Sequence, residues 1–345
     1  MMPGTSEPPP VSFTRLRPAS WQRRIPQTQT AYVGIAFVAL IVVIWILAPV
    51  FLTPRNLLNI SKNFSFIALM SLGETLVIIS GGIDLSVGSV CALSAVVAMM
   101  LMRFFSATAA SQVPGATLAL AALLALALAA LIGLVNGLLI ARMRLSPFVT
   151  TLGMLSVARG MTYVLTQGRA QYPVGPDVAL FTRFSNGAVL SLPTQLIYLL
   201  VLAVLMALAL RSLVWGRHLY AVGGNAQAAA LTGVRVPRVV ISVYLLSGLA
   251  AGFSGVLIAG WLGAAPANLA TGYELRVIAA AVIGGANLAG GVGGAAGAVL
   301  GAALIEVIRN GFVLIGANSY WEEVFVGVII IIAVLVDQLR TRRVF

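Results

Sequence analysis

The chain has 345 residues, of which 60% are hydrophobic and 9% charged, with a formal net charge of +12 and a mean hydropathy of +1.03. A soluble domain carries about 25% charged residues, so this composition excludes a water-covered globule and fits an all-α polytopic membrane protein. The basic balance is no argument for nucleic acid, because Lys62 is the one lysine and arginines on short loops are the ordinary topology signals of membrane chains.

Residues 1–30 are rich in proline and polar side chains and include Arg15, Arg17, Arg23 and Arg24. They read as a disordered cytoplasmic tail. The apolar run at 31–51 exceeds a signal-peptide core of roughly 7–15 residues and lacks a convincing cleavage site, so it is expected to remain as the first membrane helix.

A crossing needs about 20 apolar residues at 1.5 Å per residue. Ten candidates follow in order: 31–51, 64–80, 86–103, 116–141, 147–166, 194–212, 238–262, 273–286, 292–312 and 320–338. The eighth is short and flanked by glycine. Ten crossings put both termini on one side. Cytoplasmic termini would place thirteen basic residues inside and seven outside, which favours that orientation. The expected layout is a transmembrane domain over 31–339, a cytoplasmic loop over 213–237 and a short tail at 340–345.

Residues 72–89 interrupt this pattern with Leu-Gly-Glu-Thr-Leu-Val-Ile-Ile-Ser-Gly-Gly-Ile-Asp-Leu-Ser-Val-Gly-Ser. Glu74 and Asp84 sit in surroundings otherwise apolar enough for lipid. An ionised group there costs roughly 2.5–3.5 kcal/mol on insertion scales, so such groups face a bundle interior or an aqueous path. Gly81, Gly82 and the turn-prone segment through Ser86 break the helix, and broken backbone at membrane depth persists only where protein covers it or a cavity receives it. This is the grammar of a transport protein.

Absences narrow the classes further. Cys91 is the one cysteine, so no intramolecular disulfide exists, and it reads as a small apolar residue. His218 is the one histidine and has no thiol or carboxylate near it in sequence, so no metal site or catalytic triad is expected. Lys62 follows Asn59-Ile60-Ser61 rather than a glycine loop, so the chain cannot itself be an ATPase. A membrane transferase would need clustered carboxylates, and the acids are dispersed.

Small residues saturate the fourth helix around 125–130 and the segment 290–298, where Gly293, Gly297 and Gly301 recur every fourth residue. Such stripes let helix backbones approach closely. Asn136-Gly137 before Pro147-Phe148 is echoed by Asn310-Gly311 before Tyr320-Trp321. Five crossings separate the two, as in an inverted repeat of five plus five helices.

In the hydrophilic stretch 215–238, Asn225 is a good N-cap, residues 226–231 are strong helix formers and Gly233 supplies a stop before Pro237. One short helix is expected, too brief to stand alone. It rests either on its own bundle or on a partner.

These residues resemble the ribose-type branch of the bacterial ATP-binding-cassette sugar importer permeases from about residue 31 onward. The anchors are residues 81–88 (Gly-Gly-Ile-Asp-Leu-Ser-Val-Gly), 136–140 (Asn-Gly-Leu-Leu-Ile), 146–154 (Ser-Pro-Phe-Val-Thr-Thr-Leu-Gly-Met), Arg159-Gly160, 223–234, 246–251, 272–275 (Gly-Tyr-Glu-Leu) and 283–291 (Ile-Gly-Gly-Ala-Asn-Leu-Ala-Gly-Gly). The resemblance implies a permease of the bacterial inner membrane that works with separate ATPase subunits, a periplasmic sugar-binding protein and a second permease chain. ATP would be used by the partner subunits, with no cofactor on this chain. The helix at Asn225, Gln227, Ala228, Ala229 and Gly233 then corresponds to the coupling helix that docks on the ATPase. Many relatives write its motif with Glu where this chain has Gln227, which removes one charged contact.

The buried polar residues keep two readings each. Glu74, Asp84, Ser86, Asn136 and Asn287 either meet sugar hydroxyls along the path or brace broken helices. Arg159 and Glu274 either pair across helices or line the path, and Glu306 and Arg309 are expected to neutralise each other at i,i+3, as are Asp337 and Arg340. Glu322 and Glu323 fall near the outer surface. The rival class is an ion-coupled secondary transporter in which Glu74 or Asp84 carries the proton.

Overall fold

The computed structural model describes residues 25–316 and, beyond them, Trp321, Val324, Gly327, Val328 and Ile331. The tail at 1–24, the tenth expected crossing apart from those five residues, Glu322, Glu323 and the Asp337–Arg340 pair lie outside the described residues. The described part is almost wholly helical: α1 (Ile25–Leu47), α2 (Pro54–Ile79), α3 (Val87–Ser106), α4 (Ala116–Ala141), α5 (Pro147–Thr166), α6 (Val178–Asn186), α7 (Thr194–Ser212), α8 (Val214–Gly224), α9 (Ala226–Leu231), α10 (Val236–Leu262), α11 (Tyr273–Ile283) and α12 (Ala295–Leu314). A two-residue hairpin, β1 (Ala188–Val189) with β2 (Leu192–Pro193), follows α6.

Seven of these helices (α2, α3, α4, α5, α7, α10 and α12) are long and apolar enough to cross a bilayer, and α1 adds a shorter apolar stretch, Val33–Leu47. The bounds expected for the fourth, fifth and sixth crossings match α4, α5 and α7. The second begins ten residues earlier than its hydropathy suggests, because Thr53 precedes Pro54 at the first helical position and Asn56 is buried there by Asn310. The eighth expected crossing, 273–286, is corrected: α11 has 11 residues, about 16 Å at 1.5 Å per residue. The chain reaches it through a non-helical segment, 264–272, that dips into the bundle.

At the centre α2 crosses α10. Helix α10 also packs on α3 and α4, while α2 packs on α11 and α12; within each half, α3 meets α4 and α11 meets α12. The α4–α10 crossing is made close by small residues: Ala121, Ala125, Ala129 and Gly133 form one buried stripe on α4. A methyl on Gly248 would overlap the Ala129 carbonyl, and one on Gly133 would overlap that of Tyr244. Backbones in such proximity gain dispersion and interhelical polar contacts that larger side chains would forbid.

The expected stripe at 293, 297 and 301 is corrected in part. Gly293 lies before α12, in the 284–294 loop, whereas Gly297 and Gly301 face α11 at the carbonyls of Gly284 and Ala280. Glu306 and Arg309 do pair, with Nε donating to Oε2 at 2.8 Å, which neutralises a glutamate that α12 would otherwise bury as a bare charge.

The single helix expected in the 213–237 loop is also corrected. Helix α8 precedes α9, and together they close one end of the bundle beside the end of α2 and the 284–294 loop. The other end carries α6, the hairpin and a bridge in which Gln171 and Ala265 exchange backbone hydrogen bonds at 3.0 and 2.8 Å.

Candidate functional site

Two neighbouring features form the site: a sealed polar cluster where α2 breaks, and a helical lever beneath it.

Helix α2 ends because Gly81 takes a left-handed conformation, φ 84°, which glycine adopts without a Cβ penalty. The Gly82 N–H donates to Val77 O at 3.0 Å and the Gly81 N–H to Ile78 O at 2.9 Å, the paired closure of a Schellman end. The chain then turns back so that the Asp84 N–H donates to Glu74 Oε1 at 3.1 Å. The Asp84 carboxylate accepts three hydrogen bonds: from the Ser86 N–H at 3.0 Å, the Ser86 hydroxyl at 2.6 Å and the Ser247 hydroxyl of α10 at 2.9 Å. Asn136 of α4 donates to Ser86 Oγ at 3.1 Å. The Ile83 carbonyl accepts from Thr151 of α5 and Tyr244 of α10, each at 3.3 Å.

The Asp84 knot therefore ties α2, α4, α5 and α10 to one break in the backbone. All of it is sealed: Glu74 and Asn136 are 0% exposed, and Asp84, Ser86 and Ser247 1%. Glu74 Oε2 and Asn136 Oδ1 have no hydrogen-bond partner among the described residues. An ionised acceptor holding several donors repays much of its desolvation.

Of the residues singled out from sequence, Glu74, Gly81, Gly82, Asp84, Ser86 and Asn136 come together. Tyr244, Ser247 and Thr151 belong with them and were not singled out as site residues, since isolated hydroxyls in apolar spans carry no local pattern; the signs available were the anchors at 146–154 and 246–251 that contain Thr151 and Ser247, and the i,i+3 spacing of Tyr244 and Ser247 on α10. Arg159 and Glu274 do not pair. The Arg159 guanidinium reaches from α5 into the dipping 264–272 segment, donating to Leu269 O at 2.7 Å and Ala267 O at 3.4 Å. Those carbonyls belong to non-helical backbone at membrane depth and need donors, so they outcompete a distant carboxylate. Glu274 instead lies in the first turn of α11 beside Gly88, with Oε2 buried and without a hydrogen-bond partner among the described residues. Asn287 lies apart, in the 284–294 loop, where its side chain accepts from the Ala289 N–H at 2.7 Å.

The lever begins at Leu213. Helix α8 runs to Gly224, and Asn225 then caps α9 by accepting from the Ala228 N–H at 2.9 Å. Gly233, φ 89°, ends α9, its N–H on Ala230 O and that of Val234 on Ala229 O, both at 3.0 Å. Asn225, Gln227, Ala228 and Gly233 are exposed, whereas Ala229 is buried against α8 and α10, in an apolar cluster that includes Leu219, Val222 and Val239. Leu231, which sequence reasoning passed over, is 90% exposed.

Gly223 and Tyr220 fix the lever to the bundle. Gly223 lies against the Ile79 carbonyl and the Gly291 N–H. The Gly291 N–H donates to Ile79 O at 2.9 Å. The Tyr220 hydroxyl donates to Gly293 O at 2.8 Å, and burial pushes that phenol above its ordinary pKa, which keeps it a donor. Helix α8 therefore packs directly on the end of α2, five residues before Asp84. Among the described residues no cluster of three metal-ligating side chains occurs.

Residues 56–334 match the sequence pattern of the family described as branched-chain amino acid transport system / permease component. The ribose import permease protein of Escherichia coli (strain K12) is 39% identical over 308 residues, covering 88% of this chain and 92% of that protein. The ribose import permease protein of Bacillus subtilis (strain 168) is 37% identical over 303 residues, covering 88% and 90%. The galactose/methyl galactoside import permease protein of Escherichia coli (strain K12) is 36% identical over 320 residues, covering 90% and 95%. No solved structure matches. The chain belongs to the family of transport-system permease components.

Proposed function

We propose that the chain is the membrane-spanning permease subunit of an ATP-driven importer, carrying a monosaccharide of the ribose or galactose class across the bacterial inner membrane. The end bearing α8 and α9 is the cytoplasmic one. There the exposed face of α9, with Asn225, Gln227, Ala228 and Leu231, docks on a separate ATPase subunit that binds and hydrolyses the ATP. A periplasmic sugar-binding protein delivers the sugar to the opposite end, and a second permease chain completes the path.

The observation that carries this reading is the lever. A six-residue helix too short to persist alone is capped at both ends, anchored by Ala229 and tied through Gly223 to the break in α2. ATPase closure would push α9, shift α8 and move the end of α2 against α10, where Asp84 and Ser247 meet. The cluster at Asp84 then braces the moving helices and keeps the break covered in both states. Energy coupling is tested by sugar uptake in cells expressing the whole system. Uptake that survives collapse of the proton gradient and stops on ATP depletion fits this assignment. The reverse dependence would make the chain an ion-coupled transporter.

A further inference from the structure

An apolar groove of about 450 Å³ opens between α4 and α7 over the α2–α10 crossing. Its walls include Leu72 and Gly73 of α2, Leu202, Leu205 and Met206 of α7, and Trp215 of α8. Its one polar side-chain atom, Trp215 Nε1, is already committed, donating to Ser242 Oγ at 2.8 Å. Trp215 also lines a second cavity of about 370 Å³, shared with His218, Arg235, Arg238 and Ser242. Arg235 and Arg238 are exposed, and no described carboxylate pairs with either. An apolar groove and a cavity bearing two guanidiniums and a histidine thus share Trp215 as a common wall.

We propose that this is a binding site for an anionic phospholipid, with one acyl chain in the groove and the headgroup phosphate held by Arg235, Arg238 and His218. The chemistry at both ends matches such a molecule. A chain of methylenes in the groove leaves no polar group unpaired, and guanidinium forks are the preferred partners of phosphate oxygens. Basic pockets at the ends of membrane helices recognise anionic headgroups in this way, and a tryptophan at the junction suits the boundary between hydrocarbon and headgroup. The occupant would touch Gly73, whose backbone crosses Ser247 on α10, and would reach the lever through Trp215.

The test uses the full-length chain in phosphatidylcholine nanodiscs, with long-chain phosphatidylglycerol titrated in and bound lipid counted by native mass spectrometry after release. Phosphatidylglycerol should be retained about tenfold or more over phosphatidylcholine. The double variant Arg235→Gln, Arg238→Gln should abolish the preference, and Leu205→Trp, which fills the groove from a half-exposed wall position, should lower retention of both lipids. Unchanged melting temperatures for the two variants check that each is folded. The proposal fails if the two lipids are retained alike, if the arginine variant keeps the preference, or if Leu205→Trp changes nothing. It also fails if inorganic phosphate or dihexanoyl phosphatidylglycerol displaces the long-chain lipid at equal concentration, since the groove would then contribute nothing.

Discussion

Gly223 of α8 lies flat against the Ile79 carbonyl at the end of α2, with no room for a side chain between them. The Ile79 oxygen at the same time accepts from the Gly291 N–H. One carbonyl therefore joins the lever, the broken helix and the loop that leads into α12.

The first prediction concerns that contact. The methyl of Gly223→Ala would collide with backbone on both sides, where nothing flexible can yield. Overpacking of this kind costs about 1–3 kcal/mol. The variant should melt earlier in detergent and, if α8 relays the motion of α9 to α2 as proposed, lose uptake in larger proportion than stability. Paired melting and uptake measurements check this.

The two apolar residues of α9 should behave oppositely. Leu231→Asp alters an exposed side chain and should leave the melting temperature nearly unchanged, within about 0.5 kcal/mol. If α9 docks on an ATPase, the same change should weaken that association about fivefold or more, as loss of an interface anchor does. Ala229→Asp instead places a charge in the buried apolar cluster that also holds Leu219, Val222 and Val239. It should destabilise the bundle by roughly 3 kcal/mol or more. Pull-down of the ATPase together with thermal melting separates the two.

Asp84→Ala removes the acceptor for the Ser86 N–H and hydroxyl and for Ser247. Leaving buried donors unpaired should cost about 2–4 kcal/mol, while Asp84→Asn, which keeps the shape and part of the acceptance, should cost less. If the residue braces rather than binds sugar, uptake by the asparagine variant should fall through a lower amount of folded protein, with the sugar concentration for half-maximal uptake unchanged.

Arg159→Met strips the donor from the carbonyls of Ala267 and Leu269. A buried carbonyl left unpaired costs about 1–3 kcal/mol. Hydrogen exchange of amides 265–271 should accelerate while exchange in α4 and α10 stays slow.

The spans legible in the sequence were those whose ends carry their own chemical signals. Helix α5 starts with proline after Ser146, and α7 is a uniform apolar run closed by Arg211. The beginning of α2 was hidden because Arg55, Asn56, Ser61, Lys62 and Asn63 lower its hydropathy, although Asn56 is buried by a partner 254 residues away. Helix α11 was read too long because Gly284 and Gly285 are near neutral on a hydropathy scale and do not interrupt the apolar run that they terminate. Helix α8 was missed because Gly216, Gly223 and Gly224 look like loop residues; tertiary contact explains two of them, since Gly216 packs on the Leu210 carbonyl and Gly223 on that of Ile79. The break at 81–86 was plain from its acids and glycines. The hydroxyls that complete it, Thr151, Tyr244 and Ser247, were not, because long-range pairing leaves no mark on local pattern.

The most direct test reconstitutes the chain in vesicles with its ATPase and sugar-binding protein, and compares them with vesicles holding the chain alone under a proton or sodium gradient. ATP supplied on the α9 side should drive sugar uphill in the complete system, and Leu231→Asp should lower the sugar moved per ATP hydrolysed. Uphill transport by the chain alone, powered only by the ion gradient, would contradict the account.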